Sequence, residues 1–357
     1  MKHTAAWLLL GAFLMGCDAA SNPFNTGGST GEAVVDGGTD GGTDGGTDGG
    51  TDGGTDGGTT GGNTGGAGNT TFDTALGVPA AIAGSITAVS FDPAAGTLTV
   101  TGLNLDNVPV ATQYARAPAL DNNGFLAYTT QDDPLDRHFT AYVRQSGSVT
   151  GTVVSSPTPR NRVFKGAFFD RDGAYDPPPV TDDTGLVTYA GTYVGLTNIG
   201  DQGGSDLLST SITPTELQPG QALPTDGDAV LNADFADNTV EGNIFNRRLL
   251  DTNGNELAGL PSLVLIVTPI DSNGSFSGTV EYDIIDPRSN TTAFVQVGTY
   301  AGVFGGENAS EVAGGVDLTE FDGSSDPLGL ENELESGTFV LEACTAASTN
   351  PVCTQIP

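Results

Sequence analysis

Apolar residues are distributed in three different ways along this chain of 357 residues. Residues 5–15 form one apolar run, whereas residues 18–71 are mostly Gly, Thr, Asn, Ser and Asp with almost nothing to bury. After Phe72, Val, Ile, Leu, Phe and Tyr recur in short runs that Gly, Asn-Gly, Asp-Pro and Pro-Pro-Pro interrupt. Short interrupted runs are typical of β-strands. The pattern predicts an all-β folded region behind a long unfolded segment.

Residues 80–180 are predicted to form a smaller β-rich, handle-like subdomain. The stretch GTLTVTGLNL alternates Leu98 and Val100 with threonines, as a half-buried strand does. The stretch TAYVRQSGSVTGTVV predicts two strands around a turn at Ser146-Gly147. A rigid turn at residues 177–179, three consecutive prolines, ends the subdomain.

Residues 187–344 contain eight strand-like runs, which predict an eight-stranded antiparallel up-and-down barrel. FADNTV and the Asn273-Gly274 pair mark two of the hairpin turns. The eight runs lie near 187–195, 228–235, 239–245, 262–268, 274–284, 293–302, 311–319 and 336–343. The candidates for the interior are Phe235, Val240, Ile244, Leu265, Val267, Phe276, Val280, Tyr282 and Phe339. A barrel of this size can be filled by its own side chains, which would leave recognition to the loops and the outer wall.

Residues 17–72 are predicted to be a disordered tether. Residues 36–59 repeat Asp-Gly-Gly-Thr six times without an apolar residue, and Gly loses the most entropy on ordering. A Gly-rich coil of this length has a root-mean-square span of about 40 Å. Calcium-driven folding is the alternative, but calcium-binding β-helix repeats are nine residues long and carry a large apolar residue.

Residues 1–16 have the features of an export signal. Lys2 is cationic, the apolar run that follows is too short to span a bilayer, and Cys17 comes directly after it. The segment Leu14 to Cys17 resembles the bacterial lipobox, which implies lipidation of Cys17 and a lasting membrane anchor. The alternative is an ordinary secretory signal with an incidental cysteine. Asp18, directly after the cysteine, resembles an inner-membrane retention signal.

The charge and the scarcity of certain residues exclude several functions. The formal net charge of -33 opposes binding to nucleic acid or to anionic lipid. The chain has two His and three Cys, too few for the usual zinc centres or for Cys-His catalysis. We therefore expect no cofactor and no metal site. We also expect the protein to be a monomer.

Cys344 and Cys353 are expected to form a disulfide in the C-terminal tail, residues 345–357. In an exported protein the oxidising environment favours pairing, and the closed loop is short. Cys17 is then left for the lipid.

Six of the cationic side chains cluster between residues 137 and 171, in an otherwise acidic chain. They could form an anion-binding patch on the handle-like subdomain, or they could neutralise neighbouring aspartates on the strands. The six are Arg137, Arg144, Arg160, Arg162, Lys165 and Arg171.

Two acidic stretches and one histidine are candidates for metal binding. DRDGAYD (170–176) and DTNGNE (251–256) resemble calcium loops, but both lack the Gly and Glu positions of an EF-hand, so turn chemistry is the alternative. His138 is either an ordinary strand residue or a metal or haem contact.

Residues 298–318, GTYAGVFGGENASEVAGGVDL, carry a recognisable pattern. A Gly-x-Phe strand leads into an Asn-Ala-x-Glu turn and then into a Gly-Gly strand; the residues are Gly302, Phe304, Asn308, Ala309, Glu311, Gly314 and Gly315. This pattern resembles the barrel signature of transferrin-binding protein B and factor H-binding protein. The glycines permit a tight bend and close backbone approach, and Asn308 is placed to cap the turn.

The resemblance implies a lipoprotein on a flexible anchor that captures a solute or a protein partner. The export route typical of such proteins would override the Asp18 signal, so we expect an outer-membrane, surface-exposed location, with a periplasm-facing location as the alternative. Two alternatives stay open. One is a carboxylate-pair hydrolase, for which no acid/base spacing stands out. The other is a structural or adhesive surface protein without a specific ligand. We expect a non-enzymatic binding protein.

Overall fold

The computed structural model describes residues 70–71, 77–103, 109–157, 163–181, 185–211, 217–282, 296–319 and 333–355. These residues all belong to one compact unit of the chain, Asn63–Pro357. The predicted signal segment, Cys17, most of the predicted tether, Arg160 and Arg162 lie outside the described residues.

The first sheet is an antiparallel meander of eight strands, which we call the handle sheet. Ser85 N donates to Lys165 O at 2.8 Å, so β8 returns to the start of β2 and nearly closes the sheet. Helix α1 (Ala80–Ala83) precedes β2, and a 3-10 turn covers Pro118–Leu120. The strands are β1 (Thr70–Thr71), β2 (Ile86–Asp92), β3 (Thr97–Leu103), β4 (Pro109–Arg116), β5 (Leu126–Thr130), β6 (Phe139–Ser146), β7 (Val149–Ser156) and β8 (Phe164–Arg171).

Alternating side chains give the handle sheet its own core. Phe91 lies opposite Leu98 and Val89 lies opposite Val100, and all four side chains are buried. Residues two apart on a strand share a face, so the alternation in the sequence becomes one apolar surface. The predicted hairpin at Ser146-Gly147 is confirmed, because β6 and β7 pair from Ser146 and Val149 onward.

The second sheet closes into an eight-stranded antiparallel barrel, as predicted. The closed order is β9, β10, β11, β13, β14, β15, β16, β17 and back to β9, and the short β12 extends from β11. The strands are β9 (Leu186–Asp201), β10 (Gln221–Asp234), β11 (Thr239–Leu250), β12 (Glu256–Gly259), β13 (Leu263–Pro269), β14 (Ser275–Tyr282), β15 (Gln296–Gly305), β16 (Glu311–Leu318) and β17 (Glu335–Ala343). Each predicted run corresponds to one barrel strand. The sequence pattern did not predict β12.

Aromatic side chains fill the barrel interior. The Phe304 ring has its centroid 5.3 Å from those of Tyr189 and Phe235 and 5.2 Å from that of Phe276. Edge and tilted contacts of this kind add to the stabilisation that burial of the rings supplies. The barrel interior is therefore filled by its own side chains.

Eight of the nine predicted interior side chains are buried. The prediction for Val267 is wrong, because this residue is 56% exposed. The physical reason is a β-bulge. Val240 pairs with Thr268 while Gly242 pairs with Leu265, so β13 has one residue more than β11 in this interval. A bulge interrupts the alternation of faces. Leu265 and Thr268 are consequently both buried, and Val267 lies on the outside.

The handle sheet packs against the outer wall of the barrel. Val149, Val153 and Phe169 of the handle sheet share one buried apolar cluster with Val303 and Val340 of the barrel. Small side chains complete this contact, and the whole cluster is removed from water. The outer wall formed by β15, β16 and β17 is therefore covered in this region, which leaves the loops and the edges of the contact for recognition.

The C-terminal segment is closed by the predicted disulfide between Cys344 and Cys353, whose Cα atoms are 5.2 Å apart. A 3-10 turn covers Cys353–Gln355. Within the described residues, no helix is long and apolar enough to cross a bilayer.

Candidate functional site

The glycines of the 298–318 motif allow aromatic rings to lie on the barrel backbone. Gly302 and Gly314 pair directly across β15 and β16. A Cβ on Gly302 would collide with the Phe276 ring, and one on Gly314 would collide with the Phe339 ring. The close approach that the motif predicted is therefore between backbone and interior side chains.

The turn of the motif is a 3-10 turn over Glu307–Ala309. Asn308 and Ala309 have φ values of 55° and 53°, and no side chain caps the turn, so the expectation that Asn308 caps it is wrong. Asn308 instead uses its backbone N–H, which donates to Asp176 Oδ2 at 3.0 Å. The buried Tyr189 hydroxyl donates to Ala309 O at 2.6 Å.

Glu311 joins the motif to the handle sheet. Its Oε2 accepts hydrogen bonds from Ser148 N at 2.9 Å and from Ser148 Oγ at 3.1 Å. Ser148 Oγ in turn accepts from Gly306 N at 2.7 Å. A Cβ on Gly315 would press on Ile82 of α1 and on Ala167 of β8. The described contacts of the motif are thus with the barrel interior and with the sheet-to-sheet junction.

The predicted cationic cluster is directed partly at the barrel. Arg144 Nη1 donates to Thr192 Oγ1 at 2.6 Å and its guanidinium lies 5.9 Å from the centre of the Phe125 ring. Burial lowers the pKa of Arg144, and Glu342, 4.0 Å away, opposes that effect. Arg137 is half-buried directly before β6.

Lys165 and Arg171, at the two ends of β8, also contact the barrel. Lys165 forms an ion pair with Asp317 of β16. Arg171 Nη1 donates to Phe304 O at 2.7 Å and to Asn273 O at 3.0 Å. Each of these charges has a partner in the described part of the chain, and the anion patch itself stays a prediction.

His138 ties a barrel loop to the handle sheet. Its side chain is fully buried, and Nε2 lies 2.9 Å from Asp206 Oδ2, in the segment that follows β9. The hydrogen bond from His138 lowers the pKa of Asp206. The described contacts of His138 are with protein atoms. The expectation of a strand residue is wrong by one position, because His138 directly precedes β6.

The DTNGNE stretch is a turn. Asp251 Oδ1 accepts from the backbone N–H groups of Asn253, at 2.9 Å, and Asn255, at 2.8 Å, and Oδ2 accepts from Asn255 Nδ2 at 2.9 Å. An aspartate that binds the backbone two residues further on is a common turn device. Within the described residues, no group of three or more His, Cys, Asp or Glu side chains could hold a metal ion.

A polar cleft lies where the handle sheet meets the barrel, and we call it the junction cleft. Its volume is about 210 Å³. The handle sheet and its β4–β5 loop contribute residues 119–122 and Tyr142. The barrel contributes the turn at 250–254 and the side chains Gln221, Ala222, Pro224, Asp226 and Arg248. Sequence analysis missed this cleft, because Asp121 to Gly124 carry only the signal of a turn.

Asn123 positions the handle side of the cleft. It has φ of 49°, and its Nδ2 donates to Gly227 O at 2.6 Å and to Tyr193 O at 3.0 Å. The β10–β11 register shifts between Asp226 and Asp228, so Asn123 binds the backbone at a bulge. This bond fixes the neighbouring Asn122 against the barrel.

Asp226 and Arg248 form the barrel wall of the cleft. Arg248 donates from Nε at 2.9 Å and from Nη2 at 2.7 Å to the two carboxylate oxygens of Asp226. Such two-point pairing is the strongest form of ion pair between side chains. The hydrogen bonds that Arg248 donates to Asp226 raise the pKa of Arg248. Asp226 is 5% exposed and Arg248 is 49% exposed, so the guanidinium faces the solvent at the cleft mouth.

Tyr142 lies at the floor of the cleft and is 3% exposed. Burial raises the pKa of the Tyr142 hydroxyl, and the negative charges of Asp121 and Asp226 raise it further. No described residue forms a hydrogen bond with the Tyr142 hydroxyl.

A second polar group, the buried pair of Arg247 and Glu335, lies inside the barrel. Both side chains are 0% exposed, and Arg247 Nη2 donates to Glu335 Oε2 at 2.6 Å. Tyr193 Oη and Thr225 Oγ1 each donate to Glu335 Oε1 at 2.6 Å. Burial and the Glu335 carboxylate raise the pKa of Tyr193. These groups bind one another inside the barrel and act as part of the core, although Arg247 Nε has no hydrogen-bond partner among the described residues.

Several solved structures match this chain at low identity. No family model and no curated protein matches it. A structure of intact Ap-TbpB with N and C lobes is 12% identical with a TM-score of 0.33, over 71% of this chain and 54% of that one. A transferrin-binding protein B double mutant from Haemophilus parasuis is 12% identical with a TM-score of 0.33, over 72% and 53%. A structure titled surface lipoprotein is 14% identical with a TM-score of 0.29, over 72% and 93%.

The chain spans about half the length of the first two of these proteins. Both are transferrin-binding protein B structures, and residues 298–318 resemble the signature of that family. At these identities and TM-scores the matches assign no ligand, partner or location to this chain.

Proposed function

We propose that this protein is a lipid-anchored binding protein of the cell envelope that captures a solute or a protein partner without changing it chemically. The observation that carries the proposal is the junction cleft. Two packed sheets hold buried polar groups at fixed positions around a recess of about 210 Å³. Preorganised polar groups in a concave site favour ligand binding, because little side-chain entropy is lost when the ligand arrives.

The shape of the protein restricts where capture takes place. The barrel interior is filled by its own aromatic side chains, and the handle sheet covers part of the outer wall. Solutes would bind in the junction cleft, and a protein partner would bind the loops and the uncovered outer surface of the barrel. This division follows from which surfaces remain open to water.

The anchor belongs to the same proposal. Cys17 carries the lipid, and the Gly- and Asp-rich segment behind it lets the folded unit reach away from the outer membrane toward the cell surface. The support comes from the sequence: a short apolar run, a cysteine directly after it, and a long polar segment.

The anchor and the location are tested on cells. An alkyne-labelled palmitate should be incorporated into the wild-type chain and not into Cys17→Ser, and Cys17→Ser should leave the membrane fraction. Protease treatment of intact cells should then release peptides from residues 77–355. Protection until the outer membrane is opened would mean that the domain faces the periplasm.

Binding is tested separately on the purified full chain. Native mass spectrometry against a mixed set of monosaccharides, amino acids, dicarboxylates and nucleosides should reveal at least one bound species. If none binds, and calcium ions cause the chain to self-associate, a structural or adhesive role replaces capture.

A further inference from the structure

Three hydrogen-bond donors in the junction cleft have no acceptor among the described residues. Asn122 Nδ2 is buried and unpartnered. The Tyr142 hydroxyl lies at the cleft floor in a side chain that is 3% exposed, and no described residue pairs with it. Gln221, also 3% exposed, accepts a hydrogen bond at Oε1 from Asp206 N at 3.0 Å, which leaves its Nε2 as a donor in the cleft lining. Buried donors are nearly always paired, so the unpartnered Asn122 Nδ2 indicates a guest that supplies an acceptor. The Tyr142 hydroxyl and Gln221 Nε2, which are open to the cleft, are further donors that the same guest can use.

Two carboxylates beside the donors retain the capacity to accept hydrogen bonds. Asp121 accepts from Ala127 N at 2.9 Å on Oδ1 and from Arg116 Nη2 at 2.5 Å on Oδ2. Asp226 accepts one hydrogen bond from Arg248 on each oxygen. An ionised carboxylate has about four acceptor positions, so each of the two can still receive hydrogen bonds from a guest.

The charges of the lining decide between classes of guest. Asp121, Asp226 and Asp251 outnumber Arg248, and Arg248 is already paired with Asp226, so the cleft repels anions. A simple ammonium ion could bind the carboxylates but would leave the three donors unpaired. A hydroxyl group both donates and accepts, so several hydroxyl groups on one small molecule satisfy the donors and the carboxylates together.

We propose that the junction cleft binds a small, neutral polyhydroxylated molecule, a monosaccharide or a cyclic polyol, through Tyr142, Asn122, Gln221 and the carboxylates of Asp121 and Asp226. The volume of about 210 Å³ is many times what a single ordered water needs and fits one sugar ring. This inference rests on the proposed function, because it names the solute class that the proposed binding protein captures.

The test measures sugar binding by the full chain. The full chain is purified from the bacterium that makes it and is kept in a detergent without a sugar headgroup. It is then titrated calorimetrically with glucose, galactose, mannose and myo-inositol. At least one of the four should bind. Tyr142→Phe should weaken that binding by about three- to tenfold, the usual value of one neutral hydrogen bond.

Tyr114→Phe is the matched control. Tyr114 is 4% exposed in the core of the same sheet and is not part of the cleft lining, so its loss of a hydroxyl should leave the dissociation constant unchanged. If Tyr142→Phe melts at a lower temperature than the wild type, Asn122→Asp tests the same idea. It keeps the shape of the side chain and replaces the unpaired donor by an acceptor, and should also weaken binding.

Three results would overturn the inference. None of the four compounds binds the wild-type chain at tens of millimolar; or the binding survives both Tyr142→Phe and Asn122→Asp; or glucuronate or glucosamine binds more tightly than glucose. Each of these leaves palmitate labelling, protease release and binding of other solutes untouched. Failure of the sugar hypothesis is therefore distinguishable from failure of the proposed function.

Discussion

The carboxylate of Glu311, on the barrel, accepts two hydrogen bonds from Ser148, on the handle sheet, at 2.9 Å from N and 3.1 Å from Oγ. The two residues are 163 positions apart in the chain. Glu311 belongs to the motif that resembles a family signature, and Ser148 belongs to the turn of the predicted β6–β7 hairpin. The motif therefore contributes directly to the packing of one sheet on the other.

A double-mutant cycle tests this contact. Glu311→Ala and Ser148→Ala should each lower the free energy of unfolding by about 1–2 kcal/mol, since hydrogen bonds to a charged group are stronger than neutral ones. The double variant should lose less than the sum, with a coupling of about 1 kcal/mol, because both changes remove the hydrogen bond from Ser148 Oγ to Glu311, whereas Ser148→Ala keeps the one from Ser148 N. Urea unfolding measures all four proteins. Strict additivity would show that the bond from Ser148 Oγ does not help to hold the sheets together.

Gly314 is predicted to be intolerant of any side chain. A Cβ there would collide with the Phe339 ring and with Ala301 O in the packed barrel interior. We expect Gly314→Ala to cost about 2–3 kcal/mol, as overpacking does. Gly259→Ala on the exposed β12 is the matched control, because a Cβ at Gly259 meets no atom within 4 Å.

Thermal unfolding of the two alanine variants decides this. A clear decrease for Gly314→Ala with little change for Gly259→Ala is the expected result. Equal melting temperatures would contradict the role assigned to Gly314. A Gly314→Ala, Phe339→Leu double variant should recover part of the loss, because the smaller side chain removes the ring from the site of collision.

The barrel and its turns could be predicted because their signals are local. Asn273-Gly274 lies between two apolar runs, and Gly274 adopts φ of 78° in the hairpin that joins β13 to β14. Cys344 and Cys353 are close in the sequence, which made their pairing predictable. Such features depend on a few neighbouring residues, and a pattern within one segment is enough to identify them.

The junction cleft and the bulge at Val267 could not be predicted, because they depend on partners that are distant in the chain. Asn123 is 104 positions from Gly227, whose carbonyl oxygen it binds. Val267 fits the strand pattern, and only the pairing of β13 with β11 turns it outward. The sequence likewise grouped six cations by proximity in the chain, whereas the partner of Lys165 is Asp317.

The ion pair inside the barrel is expected to be sensitive to loss of charge. Glu335→Gln keeps an oxygen that can accept from Tyr193 and Thr225, but it removes the negative charge that faces the fully buried Arg247 guanidinium. Breaking a buried pair in this way costs about 3–5 kcal/mol. Glu256→Gln is the matched control, because Glu256 is 52% exposed and 4.0 Å from Arg248. The control should change stability very little.

Urea unfolding at neutral pH compares the two variants with the wild type. A loss for Glu335→Gln no larger than that for Glu256→Gln would mean that the Arg247 charge finds another acceptor when Glu335 is neutral. In that case the pair would be replaceable without harm to the barrel.

Acid should weaken the attachment of the Asp206 segment to the handle sheet. The hydrogen bond from His138 lowers the pKa of Asp206 in the folded protein. Asp206 therefore binds a proton less readily when folded than when unfolded, where its pKa is about 3.9. Its contribution to stability is complete above the unfolded pKa and is lost as the pH falls through the lower folded pKa.

Asp206→Asn replaces the carboxyl group by an amide that does not titrate. Comparison with the wild type therefore isolates the contribution of the Asp206 charge to stability. The variant should be less stable than the wild type at neutral pH, and the difference should shrink below about pH 4, where the unfolded carboxyl group is protonated. Asp133→Asn, also in a loop beside the handle sheet, serves as the control, since Asp133 has no ionic partner in the described part of the chain. Unfolding curves between neutral and acidic pH measure the difference, and one that is independent of pH would exclude a role for the Asp206 charge.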